Sequence, residues 1–239
     1  RDDVESRGLG DVYKRQLYGD KGNTMYLQKC LPDAEFVTTG LNEKPLFLKE
    51  NIDMVYMCSM SEKSQELVLD RLMQYKDEIA ACMKDGKALF LLVGNSMELL
   101  GDYIKREDGT RVTGLGVVPG MYSVRQTPNR FNTLIKAKFN DMTLIGYTSR
   151  FAHTYGIPDD MTFCKVEIGQ GSNPDTMNEG ICKNRVIATY IHGPLLIQNP
   201  DFVHYLLEKL DAPMKEIPFE AAMRKAYAVS YTHLRAHET

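Results

Sequence analysis

A chain of 239 residues with 43% hydrophobic and 26% charged residues has the composition of a globular protein able to bury an ordinary core. Its formal net charge of −3, with basic and acidic residues interspersed, gives no nucleic-acid footprint, and no run approaches the roughly 18 apolar residues of a membrane span. Five cysteines, odd in number and without metal-type spacing, argue against a disulfide framework and imply a reduced, cytoplasmic protein with no metal or other cofactor.

In chain order, the two ends come first. A single DNA string encodes Ser6–Gln16, and its reverse complement in another frame encodes Val229–Thr239. The string resembles a transposase-based sequencing adapter, so residues 1–16 and 229–239 read as non-native tails and are excluded from fold reasoning. Residues 17–228 remain as a single domain, with an initial strand before Leu17 expected to be lost. The histidines left to consider are His153, His192 and His204.

Asp53–Cys58 (DMVYMC) and Ala88–Val93 (ALFLLV) are short apolar runs of the kind buried on both faces of a parallel sheet. A helix between them is expected from an N-cap at Ser61, a stripe of Val68, Leu72, Tyr75, Ile79 and Cys82, and a stop at Gly86. Strand, helix and parallel strand make a βαβ unit. A further helix is expected over roughly Ser96 to Ile104. Phe131–Phe139 and Met142–Ser149 alternate around Asn140-Asp141, which predicts a hairpin. Phe163–Ile168 and Arg185–Tyr190 are further strand candidates, and Asp201–Leu210 a closing helix. The pattern is α/β: a mixed sheet, mainly parallel and helix-flanked, with antiparallel additions in the second half. Its cleft should open after Cys58 and Val93, at the carboxyl ends of the parallel strands.

Leu17–Asn23 (LYGDKGN), Gly101, Asp108-Gly109-Thr110, Gly114-Leu115-Gly116 and Tyr190–Leu196 (YIHGPLL) keep one order and spacing. Together they resemble the class I glutamine amidotransferases of the cobyric-acid-synthase branch, above all the glutaminase subunits of lipid II isoglutaminyl synthases. The resemblance covers nearly all of 17–210. It implies a flavodoxin-like class I amidotransferase fold and a role in peptidoglycan amidation beside a Mur-ligase-like synthetase. It also implies glutamine hydrolysis by a cysteine thiolate at a strand-to-helix elbow, with a histidine to move the proton and backbone N–H groups around the oxyanion. His192 falls at the family's catalytic histidine.

The departures from the family pattern lie at the cleft. Where the family's elbow reads C-G-G-Y-Q-x-L-G, this chain has Gly94–Gly101 (GNSMELLG). Counting back from Gly101 puts Gly94 at the nucleophile, and counting forward from Asp85-Gly86 puts Val93 there; neither side chain attacks a carboxamide. Ser96 lies two residues away, too far displaced to serve. Cys58-Ser59-Met60 replaces an oxyanion-type triple-glycine loop, with Cys58 expected as a buried structural cysteine rather than a relocated thiol. The substrate-side segment Gly146–Tyr155 keeps Gly146, Thr154 and Tyr155 but carries Arg150 and His153 where the family has other polar residues. His153 is expected as a polar loop residue, and His204 on a helix facing solvent or a partner. The reading favoured is a catalytically silent subunit with weak or lost glutamine binding. An active glutaminase with a rearranged nucleophile and a stand-alone small-molecule binding domain are the alternatives.

Overall fold

The two apolar runs form β1 (Met54–Met57) and β2 (Leu89–Val93), paired in parallel. Alternation explains why β2 has no polar position. Leu89, Leu91 and Val93 enter one core while Phe90 and Leu92 enter the other, so both faces are covered. This computed structural model describes residues 21–126 and 129–236. The tail 1–16, the expected initial strand and the first residues of the LYGDKGN segment lie outside them.

The main sheet has seven strands in the order β1-β2-β11-β10-β9-β6-β7. Its members beyond the first pair are β6 (Phe131–Phe139), β7 (Met142–Arg150), β9 (Thr162–Ile168), β10 (Asn178–Lys183) and β11 (Val186–Thr189). β1, β2 and β11 run parallel, and the remaining ladders are antiparallel. This is the expected mixed α/β sheet flanked by helices. One face is covered by α1 (Lys21–Cys30), α4 (Leu195–Gln198), α5 (Pro200–Lys209) and α6 (Glu220–Ala236) through Tyr26, Leu27, Leu196, Phe202, Leu206 and Met223. The other is covered by α2 (Glu62–Leu72) and α3 (Lys76–Asp85) through Val68, Leu69, Ile79 and Met83. A second sheet has the order β4-β3-β5-β8, from β3 (Tyr103–Lys105), β4 (Arg111–Thr113), β5 (Tyr122–Arg125) and β8 (Ala152–Tyr155).

Several sequence expectations are met in detail. Ser61 caps α2 by accepting from the Ser64 N–H, and Gly86 ends α3 in the left-handed conformation with φ 67°. The β6–β7 hairpin turns on Asn140-Asp141, with Asn140 at φ 50°. Two helices require correction. The single helix expected after Ser61 is divided by a 3-10 turn at Met73–Tyr75. That tighter winding advances each residue by about 120° instead of about 100°, so Leu72, Tyr75 and Cys82 end half-buried while Ile79 and Met83 carry the contact. The helix expected over Ser96 to Ile104 is a short 3-10 helix, Gly94–Leu100, and Ile104 belongs to β3. Gly101 ends it by passing so close to the Met121 carbonyl that a Cβ would lie 2.7 Å from that oxygen.

α6 continues past Ala228 into the segment read as a tail, where Leu234 is buried and Lys136 Nζ lies 5.4 Å from the centre of the Tyr231 ring. No element is expected there from the sequence. Among the described residues no helix is long and apolar enough to cross a membrane. Nor does any described strand pair with the second edge of β1, whose Met54, Val55 and Met57 line a cleft of about 600 Å³ together with Phe36, Val37 and Leu72.

Candidate active site

The carboxyl ends of the three parallel strands converge on one point. β2 ends at Val93, and Gly94 turns the chain into the 3-10 helix with φ +71°. A left-handed φ costs an L-residue roughly 1–2 kcal/mol, and glycine avoids that cost. A Cβ built on Gly94 would overlap Ser59 Oγ, approach Ser59 Cβ to 2.9 Å and approach His192 Cε1 to 2.6 Å. A side chain at position 94 would therefore point directly at the imidazole. Val93, the alternative position, instead buries its side chain in the core beside Leu91 and Ile191. Gly94 thus holds the elbow geometry.

Ser59 comes from the loop after β1 and is 2% exposed. Its hydroxyl lies 3.4 Å from His192 Nδ1 and 3.4 Å from the Val93 carbonyl. His192 follows β11 and is 1% exposed. β7 fixes its backbone: the His192 N–H donates to the Tyr147 carbonyl at 2.8 Å, and the His192 carbonyl accepts from the Tyr147 N–H at 3.3 Å. That approach requires the neighbouring Gly146, because a Cβ there would overlap the His192 carbonyl and lie 2.6 Å from the Ile191 side chain.

Around this centre the polar residues hold backbone in place. Asn95 accepts from the Met60 N–H at 2.9 Å and donates to the Met60 carbonyl at 2.8 Å, which fixes the loop carrying Ser59. Ser96, fully buried, lies 2.8 Å from the Val93 carbonyl and 3.1 Å from the Met57 carbonyl. With one hydroxyl hydrogen to give, it is a structural donor. Cys58 packs in the apolar core with Leu27, Val93 and Leu195, as a buried structural cysteine does.

Behind His192 lies a buried network that the sequence did not reveal. Glu98 accepts from Gln65 Nε2 and from the Tyr190 hydroxyl, each at 2.9 Å. Tyr190 in turn pairs with Thr154 at 2.6 Å, and Thr154 with Ser123 at 2.8 Å. Glu179 accepts from the Thr189 hydroxyl at 2.6 Å and the Tyr190 N–H at 2.7 Å. Burial pushes the carboxyls of both Glu98 and Glu179 above the usual range, against the pull of these hydrogen bonds. Further out, Gln65 accepts from Arg125 at 2.7 Å, and Arg106 and Arg125 both grip Glu66. The hydrogen bonds from Arg106, with those and the charge of Arg125, hold the Glu66 carboxyl down to about 2.

Arg150 and His153 end up buried rather than on a cleft wall. The Arg150 guanidinium stacks 4.5 Å from the centre of the Tyr190 ring, and Nη2 donates to the Gly171 carbonyl; Nε and Nη1 have no hydrogen-bond partner. His153 is no loop residue. It sits in β8 opposite Val124, 1% exposed, with its ring 4.0 Å from that of Phe131. Burial first, and the Arg150 charge second, lower its pKa to about 4. His204 is half-buried on α5, 24% exposed, with its Nε2 3.1 Å from Glu220 Oε2 of α6. Of the candidate residues, Ser59, Gly94 and His192 are brought together, Ser96 and Cys58 hold neighbouring backbone and core, and Arg150 stacks on Tyr190.

The CobB/CobQ-like glutamine amidotransferase domain family matches residues 23–200. The lipid II isoglutaminyl synthase (glutamine-hydrolyzing) subunit GatD of Staphylococcus aureus is 28% identical over 209 residues, covering 87% of this chain and 84% of its own. The subunit of that name from Streptococcus pneumoniae is 27% identical over 194 residues, covering 80% and 74%. A glutamine amidotransferase crystal structure aligns with a TM-score of 0.50 over 78% of this chain and 93% of its own, at 12% identity, a likeness of fold alone.

Proposed function

Because the chain belongs to the CobB/CobQ-like glutamine amidotransferase family, we propose that it is a GatD-like subunit that has left glutamine hydrolysis and serves a Mur-ligase-like synthetase in peptidoglycan amidation. The observation that carries this reading is the elbow at Gly94, aimed at His192 with no side chain of its own.

Hydrolysis of a carboxamide in this family needs an attacking atom whose proton a histidine takes. Gly94 supplies no such atom. Ser96 gives its hydrogen to backbone carbonyls, and Cys58 belongs to the core. Ser59 is close to His192 but 2% exposed. Meanwhile the frame persists: the elbow, the His192 strand and the close approach at Gly146 are all present. A retained frame without a nucleophile suits a scaffold or regulatory subunit, and the relatives' names describe subunits of a larger synthase.

Incubation of the purified chain with L-glutamine, with ammonia read by a coupled glutamate dehydrogenase assay, is expected to give no turnover above the blank. Turnover lost on His192→Ala would overturn the reading. Co-expression with the ligase-like protein encoded nearest to this chain's gene is expected to yield a complex on size exclusion, and separate elution would remove the partner assignment.

A further inference from the structure

Ser59 and Gly94 belong to loops 35 positions apart in sequence, yet they compete for the same space. A Cβ on Gly94 would overlap Ser59 Oγ and come to 2.9 Å from Ser59 Cβ. The two conflicts differ in kind. Rotation about χ1 would carry Oγ away, but Cβ is fixed to the backbone, and Asn95 anchors that backbone at Met60 through two hydrogen bonds. Relaxation of the serine rotamer therefore cannot make room. The third neighbour, His192 Cε1 at 2.6 Å, is also too close, but it is the far edge of a side-chain ring that rotation about its own torsions can move aside.

We propose that Ser59 and Gly94 are a coupled pair in which Ser59 fills the place of the missing nucleophile beside His192, so that a thiol returns to position 94 only when Ser59 is removed with it. This deepens the reading given above and rests on it for the identity of the site. It makes the loss of the nucleophile a two-residue state, locked by the second residue. In the reopened site the thiol proton passes to His192, which leaves a thiolate beside an imidazolium.

The test has a structural arm and a chemical arm, both on the full chain. In the first, Gly94→Ala is expected to lower the thermal midpoint clearly in the Ser59 background and by much less in the Ser59→Gly background. Equal shifts in the two backgrounds would overturn the coupling. In the second, Gly94→Cys and the double variant Gly94→Cys/Ser59→Gly are alkylated with iodoacetamide, and the modification at position 94 is followed by peptide mass spectrometry against pH. A thiol whose pKa falls by about one unit gains about tenfold in thiolate below that pKa. The double variant is expected to react about tenfold faster than Gly94→Cys between about pH 6 and 7, and His192→Ala is expected to remove the gain. Similar rates for the single and double variants would refute the proposal. So would labelling of Ser59 in the unaltered chain by a fluorophosphonate, which would make the hydroxyl a working nucleophile and not an occupant. Ammonia release by the unaltered chain without such labelling would sink the silent-subunit reading while leaving the coupling intact, so the two failures are distinguishable.

Discussion

Replacement of Tyr190 by Phe removes one oxygen from the centre of the buried network and leaves the ring under Arg150 in place. That oxygen donates to Glu98 at 2.9 Å and pairs with Thr154 at 2.6 Å. Hydrogen bonds to a charged group contribute roughly 1.5–3 kcal/mol and neutral ones roughly 0.5–1.5 kcal/mol. Because all three residues are buried, no water replaces the lost partner, and the expected cost is about 2–4 kcal/mol. At roughly 2–4 °C per kcal/mol for a chain of this size, the thermal midpoint should fall by roughly 4–16 °C. The assay is far-UV circular dichroism on heating, run for Tyr190→Phe, Glu98→Gln and the double variant. The double variant should lose markedly less than the sum of the singles, since one contact is removed twice. A Tyr190→Phe change within about 0.5 kcal/mol of the parent, the range of ordinary surface substitutions, would refute the network as described.

The remaining predictions concern packing and pH. Gly146→Ala should cost about 1–3 kcal/mol through overlap with the His192 carbonyl, read as a lower urea midpoint, and an unchanged midpoint would place β7 farther from His192 than described. Glu66 is held at about 2 when folded and titrates near about 4.3 when unfolded, so its contribution is complete above that value and drains away as pH falls toward 2. Glu66→Gln should flatten the urea midpoint over that window, whereas an unaltered profile would mean that the arginine clamp contributes nothing. His153 has a folded pKa of about 4 against about 6.5 for a free imidazole, so stability present above the upper value is lost on acidification toward the lower. His153→Phe should remove that loss while stacking on Phe131, and a variant equally sensitive between about pH 6.5 and 4 would count against a buried neutral imidazole.

Much of the frame is legible in the sequence because its cues are local. A run such as ALFLLV has no polar position, so it must be covered on both faces, and Asn140-Asp141 announces its hairpin. β10 carries no such cue. It contains Gly180 and the buried Glu179, and its turn to β11 uses Asn184 and Arg185, both at positive φ without a glycine. At the site, His192 is visible through its YIHGP setting, but spacing alone leaves Gly94 and Val93 as rivals. In space the two differ: Gly94 has a φ of +71° and a Cβ there would meet Ser59 and His192, whereas Val93 packs into the core. The polar network is invisible in one dimension for a simple reason. Glu98 sits within an apolar run, and its partners Gln65 and Tyr190 are 33 and 92 positions away.

The apolar cleft beside β1 bears on how the protein will behave in the tube. Phe36, Val37, Met54, Val55 and Leu72 line it, and Val37 is 38% exposed. Apolar surface open to solvent favours association with a second molecule. Losses of this protein during concentration should therefore be of high order in protein, insensitive to reductant, and reduced by a lysine at Val37, on the cleft wall. Its shelf life is decided there, at the margin of the sheet, and not at the centre around His192.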